Sequence, residues 1–373
     1  MDWLRWAQKR ESLSSAVTLG KIPLECLNLF TQSLSQETAL EPRQHQPRVS
    51  VVVLNFNGSA TIERCIESIR SQSWPAHEII LVDNNSTDGS SDQAQRRFPE
   101  LHIVQNYRNL GFSEGNNVGI MKSTGDLVLL ANNDAILNRD ALSSLVAALK
   151  GNVGIVSGII LDGSGEKIWS YGGYFDQLSG MHWHGLQGSS VLSPAPLETT
   201  ADYAPGALLL ARRALLEKVG LLDPYFFLYG DDIDLALKAA RLGRTVKLVS
   251  KPIATHFVSQ SVRKIEQKHE LLGYYFMNRS MFYIYFSQLP IPFALTSTLS
   301  QLIFSLFELL LFRRPSSYLR TKMIALAHAI GDLGKARTAR TKLQDLGPLP
   351  LRLRLRHLMS LVRSRSIDRV YYW

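Results

Sequence analysis

The segment Gly125–Asp134 (GDLVLLANND) constrains the fold more than any other part of the sequence. Its apolar run, Leu127–Leu130, is typical of a strand that is buried on both faces of a sheet. The run ends at Asn132-Asn133-Asp134, which places a carboxylate at the carboxyl end of a central strand. In open α/β sheets, ligands bind at that edge. A carboxylate there suits a divalent cation shared with phosphate oxygens, and a strand-ending turn is the simpler alternative.

The residues before this segment alternate between short apolar runs and helical patterns. The apolar runs are Val49–Leu54, Glu78–Val82 and Leu101–Val104. Between the first two runs, Ile62, Ile66 and Ile69 recur at helical spacing. Strands and helices that alternate at this spacing predict βαβ units and a parallel sheet. Because each polar loop follows a strand, we expect these loops to gather at one edge of the sheet.

Two of these loops carry candidate ligand contacts. Asp83 ends the second apolar run, where it could accept hydrogen bonds from a base or a ribose, or could instead cap the turn Ser86–Gly89. The Gly-rich loop Asn109–Asn117 (NLGFSEGNN) would let backbone amides approach phosphates. It matches neither the Walker A loop nor the dinucleotide fingerprint, which disfavours a Rossmann dehydrogenase.

The acid pair Asp231-Asp232 is the second candidate for chemistry. The apolar residues after it recur at helical spacing until Gly243, so both carboxylates are predicted in or near the first turn of a helix. The helix dipole there favours the ionised form by about 0.3–1 kcal/mol. A helix cap would use one acid of this kind, whereas an ionised carboxylate in a cleft can also take a proton from a hydroxyl.

Between these centres, Leu161–Thr200 is rich in Gly, Ser, Trp and His. The pair His182-x-His184 has no third ligand at a suitable spacing, so the sequence favours a flexible loop over a zinc site.

The positive charge of the chain is concentrated at its C-terminal end. The whole chain of 373 residues has a formal net charge of +9, but residues 313–373 hold 14 Lys and Arg against 3 Asp and Glu. The rest of the chain is therefore close to neutral.

Next to this basic region, Pro290–Phe312 is apolar and long enough to cross a bilayer. Its polar residues Ser297, Gln301, Ser305 and Glu308 form one helical stripe, which favours a helix that lies at an interface or packs on the domain. Anionic lipid fits the basic charge, and RNA is the rival partner, although no RNA-binding motif accompanies it.

Taken together, the motifs resemble those of family 2 glycosyltransferases, and most of all the bacterial rhamnosyltransferase and galactofuranosyltransferase branch. The resemblance covers about residues 48 to 260. It rests on VSVVVLNFNG, IILVDNNSTDG, NLGFSEGNN and LLANND in the first half, and on the Pro205-Gly206-Ala207 turn, VGLLD, YFFLYGDDID and His256 in the second. It implies a GT-A fold, that is, a Rossmann-like α/β domain with a mostly parallel sheet and flanking helices. The apolar and basic pattern after it predicts a helical C-terminal region that associates with a membrane.

The resemblance implies a role for each matching residue. Asp134 and His256 would bind Mg²⁺ or Mn²⁺, Asp232 would be the catalytic base, and the acceptor would contact Asp231, Gly206 and Trp169. The nucleotide would be bound by Asn55, Asp83, Asn85, Asn109, Gly111 and Asn133. Asn132 and Asn133 precede Asp134 here, a form that resembles this branch, and they leave one carboxylate for the metal. Outside the resemblance, His256 would be read as a core or surface histidine.

The implied activity is metal-dependent, inverting transfer of a sugar from a nucleotide-sugar donor to a hydroxyl of a growing cell-surface glycan or a lipid-linked glycan. L-Rhamnose from a dTDP donor is expected, with galactofuranose, another hexose or an inactive nucleotide-sugar-binding scaffold as the alternatives. No nucleic acid partner is expected. The expected organisation is an N-terminal extension (residues 1–47) without a secretory signal, a GT-A domain (48–263) and a membrane-associating region (264–373), on the cytoplasmic face of the cell membrane.

Overall fold

The computed structural model describes residues 46–191, 200–257, 270–311 and 315–351. The chain divides into two compact units, Met1–Gln46 and Pro47–Trp373, and the description below concerns the second. Nearly all of the N-terminal extension and the Arg-rich segment after residue 351 lie outside the described residues.

The first half of the unit is a succession of βα units, as the apolar runs predict. Its elements are β1 (Val49–Asn55), α1 (Ile62–Arg70), β2 (Glu78–Asp83), α2 (Ser90–Arg97), β3 (His102–Gln105), α3 (Gly111–Lys122) and β4 (Leu127–Asn132). Strand β1 pairs in parallel with β2 and β4, and β2 pairs in parallel with β3. The register pairs Asn55 with Asp83, so the polar strand ends lie side by side.

The second half completes the sheet and makes it mixed. It consists of β5 (Ala135–Leu137), α4 (Ala141–Ala148), β6 (Val153–Asp162), β7 (Ile168–Tyr171), β8 (Gly173–Phe175), β9 (His182–His184), β10 (Thr200–Ala201), β11 (Leu208–Arg212), α5 (Arg213–Lys218), α6 (Asp231–Arg241) and β12 (Thr245–His256). The strand order is β10-β12-β6-β11-β4-β1-β2-β3, with β5 paired to β12 and β7 to β6. Strand β11 is antiparallel to both β4 and β6, so it separates two parallel parts. The α/β fold of the GT-A type with flanking helices is confirmed.

Within the described residues, four helices follow the sheet: α7 (Glu270–Gln288), α8 (Ile291–Leu311), α9 (Ser316–Gly331) and α10 (Leu333–Gln344). Helix α7 contributes Phe282, Tyr283, Ile284 and Tyr285 to the same hydrophobic core as α6. Two hydrogen bonds join these helices, because Gln288 donates to Asp234 (2.6 Å) and Arg241 donates to the Gln288 carbonyl (2.8 Å). The aromatic helix α7 is therefore part of the core.

Candidate active site

Asn55 is the hub of the polar edge of the sheet. Its side chain is fully buried at the end of β1, where its Nδ2 donates to Asp83 Oδ1 (3.0 Å) and to Ser90 Oγ (2.8 Å). Its Oδ1 accepts a hydrogen bond from Asn133 Nδ2 (2.7 Å). One amide thus joins the ends of β1, β2 and β4, which fixes the positions of these strand ends relative to each other.

The carboxylate of Asp83 already has hydrogen-bond partners. Its Oδ1 accepts from Asn55 and from the Ser86 hydroxyl (2.5 Å), and its Oδ2 accepts from the Ser86 backbone amide (3.3 Å). Asp83 therefore holds the turn after β2, which is the structural role that the sequence left open. The neighbouring Asn85 has φ 65° and an exposed side chain at this edge. Contact of either residue with a nucleotide stays a prediction.

Asn84 organises the adjacent loop, and sequence reasoning missed it. Its Nδ2 donates to Asn109 Oδ1 (3.1 Å) and to the Gly111 carbonyl (2.9 Å), while its Oδ1 accepts from Asn106 Nδ2 (2.9 Å). Gly111 has φ +79°, and a Cβ there would lie 2.6 Å from the Phe227 ring. The loop that begins α3 is thus fixed by side-chain amides and by close approach of backbone. Two consecutive asparagines after Asp83 were the visible signal.

Asp134 and His256 come together although they are far apart in sequence. Antiparallel pairing of β5 and β12 sets His256 opposite Ala135, and the Phe257 amide donates to the Asp134 carbonyl (3.0 Å). As a result, His256 Nε2 lies 3.0 Å from Asp134 Oδ1. Both side chains are buried, with at most 7 % of their side-chain area exposed. The predicted pair of candidate metal ligands is therefore assembled in the structure.

The donors of this pair fit a divalent metal. Apart from their mutual contact, Asp134 Oδ1 and both ring nitrogens of His256 have no hydrogen-bond partner within the described ranges. Burial, with the Asp134 charge adding to it, raises the pKa of the neighbouring Cys65 thiol, so that thiol stays neutral. Among the described residues, no group of three or more His, Cys, Asp or Glu could hold a metal. A cation here would need oxygen ligands from a bound molecule as well.

The acid pair lies at the start of α6, as predicted. Gly230, with φ +83°, precedes the helix and turns the chain into it. Asp232 Oδ1 accepts from the Ile233 amide (2.8 Å), and its Oδ2 accepts from the Gly206 amide (3.3 Å). Gly206 also faces Asp231, because a Cβ at that position would lie 3.3 Å from Asp231 Oδ2. Gly206 and both acids therefore form one cluster.

Burial makes the two acids harder to ionise than ordinary surface carboxylates. Burial raises the pKa of Asp232 to about 6, although three backbone hydrogen bonds oppose the rise. Burial and the nearby Asp232 charge raise the pKa of Asp231 well above its ordinary value. With a pKa near 6, Asp232 is ionised at pH 7 to 8, whereas burial beside that charge favours the protonated form of Asp231. An ionised carboxylate with a pKa near neutrality is suited to accept a proton.

The acid pair and the Asp134–His256 pair belong to the same edge of the sheet. The amide of Asn132, at the end of β4, donates to the Ala207 carbonyl (3.0 Å). Asn132 is two residues before Asp134, and Ala207 follows the glycine that contacts the acids. The turn before β11 thus connects the two centres.

Comparison with known proteins gives the family of the domain that carries this site. The family model described as Glycosyl transferase family 2 matches residues 50–219. The chain carries a family 2 glycosyltransferase domain. A relative from Mycobacterium tuberculosis, N-acetylglucosaminyl-diphospho-decaprenol L-rhamnosyltransferase, is 24% identical over 245 residues, which are 59% of this chain and 79% of the relative. The low-salt glycan biosynthesis hexosyltransferase Agl10 of Haloferax volcanii is 26% identical over 203 residues, which are 52% of this chain and 62% of that protein.

Solved structures of similar fold include a mannosyltransferase from Pyrobaculum calidifontis in complex with GDP-Man and Mn²⁺. It has a TM-score of 0.48 and 20% identity, over 81% of this chain and 86% of that one. TarS 1-349 of S. aureus in complex with UDP has a TM-score of 0.47 and 18% identity, over 87% of this chain and 89% of that one.

The Trp169 side chain of the glycosyltransferase lies beside the Asp134–His256 pair. The Trp169 ring lies edge-on to the His256 ring, with centroids 4.5 Å apart, and 5.1 Å from the His184 ring. Its contact with an acceptor, inferred from the resemblance, stays a prediction. These ring contacts make Trp169 a wall of the Asp134–His256 centre.

The segment around His182 and His184 is ordered, so the expectation of a flexible loop is wrong for residues 161–191. Strands β8 and β9 form an antiparallel hairpin, and both histidines are buried in it. Burial lowers the pKa of His182 to about 4 and that of His184 to about 3, so both rings are neutral. The physical reason is apolar packing, because aromatic residues of this segment bury one another. Residues 192–199 lie outside the described part of the chain.

Proposed function

We propose that this glycosyltransferase transfers a sugar from a nucleotide-sugar donor to an acceptor hydroxyl with inversion at the anomeric carbon. The observation that carries the proposal is the acid cluster at the start of α6, in which the amides of Gly206 and Ile233 hold the Asp232 carboxylate and Asp231 lies buried beside it. Asp232 takes the proton of the attacking hydroxyl. The oxygen then bonds to the anomeric carbon from one side as the bond to the diphosphate breaks on the other.

The protonated Asp231 is the acceptor-positioning residue in this scheme. A neutral carboxyl group can donate a hydrogen bond, whereas the ionised Asp232 can only accept one. The backbone amides of Gly206 and Ile233 hold the Asp232 carboxylate in place. The acceptor hydroxyl would therefore be oriented by Asp231 and deprotonated by Asp232.

Asp134 and His256 would hold Mg²⁺ or Mn²⁺ at the neighbouring centre. When bound, the cation would stabilise the negative charge of the diphosphate leaving group. The residues fit this role because their donor atoms are buried and lack partners other than each other. Two protein ligands leave room for diphosphate oxygens in the coordination shell.

The asparagine-rich strand ends would receive the nucleotide. The residues proposed to line this part of the site are Asn55, Asp83, Asn85, Asn109, Gly111 and Asn133. The first two are held by the hydrogen bonds around Asn55, and the next loop is held by Asn84. A site that is fixed before binding loses less conformational entropy when the donor arrives.

We propose L-rhamnose from a dTDP donor as the sugar, and a growing cell-surface glycan or a lipid-linked glycan as the acceptor. The mycobacterial relative named above supports this choice, at 24% identity. Galactofuranose and other hexoses are the competing donors. Binding of a panel of nucleotide sugars, each measured calorimetrically with and without Mn²⁺, would identify the donor. Selective binding of a UDP- or GDP-sugar would overturn the rhamnosyl assignment.

The metal assignment is tested by Asp134→Ala. This change removes the one carboxylate of the proposed metal centre, so we expect it to reduce sugar transfer to background and to weaken donor binding in the presence of Mn²⁺. Excess EDTA should do the same to the unchanged protein. Full turnover in EDTA, or an Asp134→Ala variant as active as the parent, would contradict it. If donor binds normally but is neither hydrolysed nor transferred under any condition, the protein is a nucleotide-sugar-binding scaffold instead.

A further inference from the structure

Helix α8 presents its polar residues to the protein and its apolar residues to the outside. Ser297 Oγ donates to the Gln177 carbonyl (3.0 Å), and Gln301 Nε2 donates to the Ser179 carbonyl (3.4 Å). Ser305 is 3 % exposed, and Glu308, the one charged residue in the α8 sequence, is 8 % exposed. The polar stripe seen in the sequence therefore packs against the turn between β8 and β9, and is not the solvent-facing side.

The outward face of α8 is a continuous apolar surface. Each of its large apolar residues is at least 44 % exposed, namely Ile291, Leu295, Leu299, Ile303, Leu306, Phe307 and Leu310. Met323 and Ile324 of α9 are 45 % and 43 % exposed. A contiguous apolar surface of this kind marks an interaction site, since soluble monomers rarely expose one. We call this surface the α8 face.

The α8 face could be covered by a second copy of the chain or by a lipid surface, and the charge beside it distinguishes the two. The segment from Ser316 to Gln344, which holds α9 and α10, contains six basic residues against one acidic residue, Asp332, between the two helices. Five of the six basic residues reach the surface, because Lys322 is buried. Over residues 313–373 the sequence has 14 basic and 3 acidic residues. Two copies of such a basic surface repel each other, whereas an anionic lipid surface attracts it, by roughly 1 kcal/mol per engaged Lys or Arg. An apolar face beside basic charge therefore fits a bilayer that contains anionic lipid.

We propose that the α8 face lies in the boundary between headgroups and acyl chains of an anionic membrane, with the α8 axis parallel to the surface. The enzyme is then peripheral, at the cytoplasmic face of the cell membrane. The inference rests on the proposed function only in that a lipid-linked acceptor would be found there. The lipid contact itself needs no catalysis.

A helix that lies on the membrane fits the hydrogen bonds better than one that crosses it. Among the described helices, one segment, Ile291–Leu310, is long and apolar enough to span a bilayer by length and composition, with a mean hydropathy of 1.5. Crossing would detach Ser297 and Gln301 from the backbone carbonyls that they now contact. Their polar groups, with Glu308, would then need new partners in hydrocarbon.

Vesicle flotation tests the proposal with the full-length protein. The variant Leu295→Gln/Leu299→Gln/Leu306→Gln replaces three exposed side chains by a good helix former. Met121→Gln, at a 67 % exposed residue on α3, is the matched control. We expect the unchanged protein and the control to float with phosphatidylglycerol-containing vesicles and to be released by alkaline carbonate. The triple variant should bind at least about tenfold more weakly. Equal flotation of the triple variant, or resistance to carbonate, would overturn the proposal.

Donor hydrolysis and oligomeric state are measured on the same samples. The triple variant should hydrolyse the donor as fast as the unchanged protein, so failure of the lipid proposal is distinguished from failure of the proposed function. If the unchanged protein is a dimer that the triple variant converts to a monomer, and neither binds vesicles, the α8 face is a protein interface and the proposal is wrong.

A fluorescent label reports insertion without a disruptive change. Leu299→Cys, in a background with Cys26→Ser, would carry an environment-sensitive fluorophore, because Cys65 is buried. We expect its emission to shift to the blue on addition of anionic vesicles and not of phosphatidylcholine vesicles. The same label at Met121→Cys should not respond. An unchanged spectrum at position 299 would overturn the proposal.

Discussion

At the scale of single residues, the two neighbouring acids Asp231 and Asp232 differ in what they can do. Asp231 is buried and Asp232 is partly exposed, and the backbone amides of Gly206 and Ile233 donate to Asp232 and favour its ionised form. Burial and the charge of Asp232 raise the pKa of Asp231, which favours its protonated form. Two adjacent acids thus differ in the form that their surroundings favour, and the proposed scheme uses one as the base and the other as a hydrogen-bond donor.

The first prediction follows from this division. Asp232→Asn removes the base and keeps the shape, so we expect turnover to fall by about 10²-fold or more while donor affinity stays near that of the parent. Asp231→Asn retains a hydrogen-bond donor and should have a smaller effect on turnover. Steady-state transfer and calorimetric donor binding would measure both. A larger loss in Asp231→Asn would show that the base was assigned to the wrong acid.

The second prediction concerns pH. Burial raises the pKa of Asp232 to about 6, and the scheme needs its ionised form. Transfer should therefore fall as the pH drops below 6, reaching about one tenth of its plateau near pH 5. The rate profile of the full-length enzyme between pH 5 and 8 would measure this limb. A profile that stays flat down to pH 5 would contradict the assignment of Asp232.

At the scale of elements, the loop before α3 depends on a backbone conformation that favours glycine at position 111. Gly111 combines φ +79° with a tight approach to Phe227, whose carbonyl accepts a hydrogen bond from the Phe112 amide (2.7 Å). Gly89 has nearly the same φ, +75°, but a Cβ there would meet nothing within 4 Å. Comparing substitutions at the two glycines therefore separates the cost of the left-handed backbone conformation from the cost of a steric clash.

The third prediction uses this comparison. Gly89→Ala should cost about 1–2 kcal/mol of unfolding free energy, from the left-handed conformation alone. Gly111→Ala should cost at least about 1 kcal/mol more, because its methyl group collides with Phe227. Urea denaturation of the two variants would give the difference. Equal losses would mean that the loop relaxes away from the Phe227 side chain at no cost.

The elements also mark where sequence reasoning succeeds and where it stops. Strand β4 and the start of α6 were predictable because apolar runs and acid residues are local signals. The orientation of α8 was left open, because a stripe of Ser and Gln fits either a membrane interface or packing on the domain. The hydrogen bonds to the carbonyls of Gln177 and Ser179 place the stripe against the domain, and these partners come from a distant hairpin.

At the scale of the whole molecule, the sequence predicted the residue types of the site better than their contacts. Asp134 and His256 were paired through the resemblance alone, and the pairing of β5 with β12 is what brings them to 3.0 Å. The asparagine network around Asn84 was missed for the same reason. Side-chain amides give no periodic signal, and their partners lie on other strands.

The fourth prediction is that the domain needs the helices after it. Ending the chain at residue 263 removes α7, whose side chains Tyr283 and Ile284 are at most 3 % exposed in the longer chain. The core residues that pack against these side chains would then be exposed to water. Each large side chain contributes about 1.5–3 kcal/mol, so the loss is comparable to the stability of a whole domain. We expect residues 1–263 to be insoluble or unfolded by circular dichroism.

The matched control for that truncation ends at residue 351. It keeps all four C-terminal helices and the hydrogen bond from Gln177 to the Pro350 carbonyl (3.1 Å). Its melting temperature should equal that of the full chain. A folded, monomeric 1–263 fragment with a native melting temperature would instead show that the helices form an independent region.

The buried polar stripe of α8 has a consequence for which acceptors can react. Because hydrogen bonds fix α8 against the catalytic domain, the α8 face and the acid pair stand at one set distance. An enzyme docked in this way would work at a fixed height above the bilayer. It would select acceptors by the number of sugar units between the lipid and the reacting hydroxyl. The chemical identity of those units would matter less than their combined length.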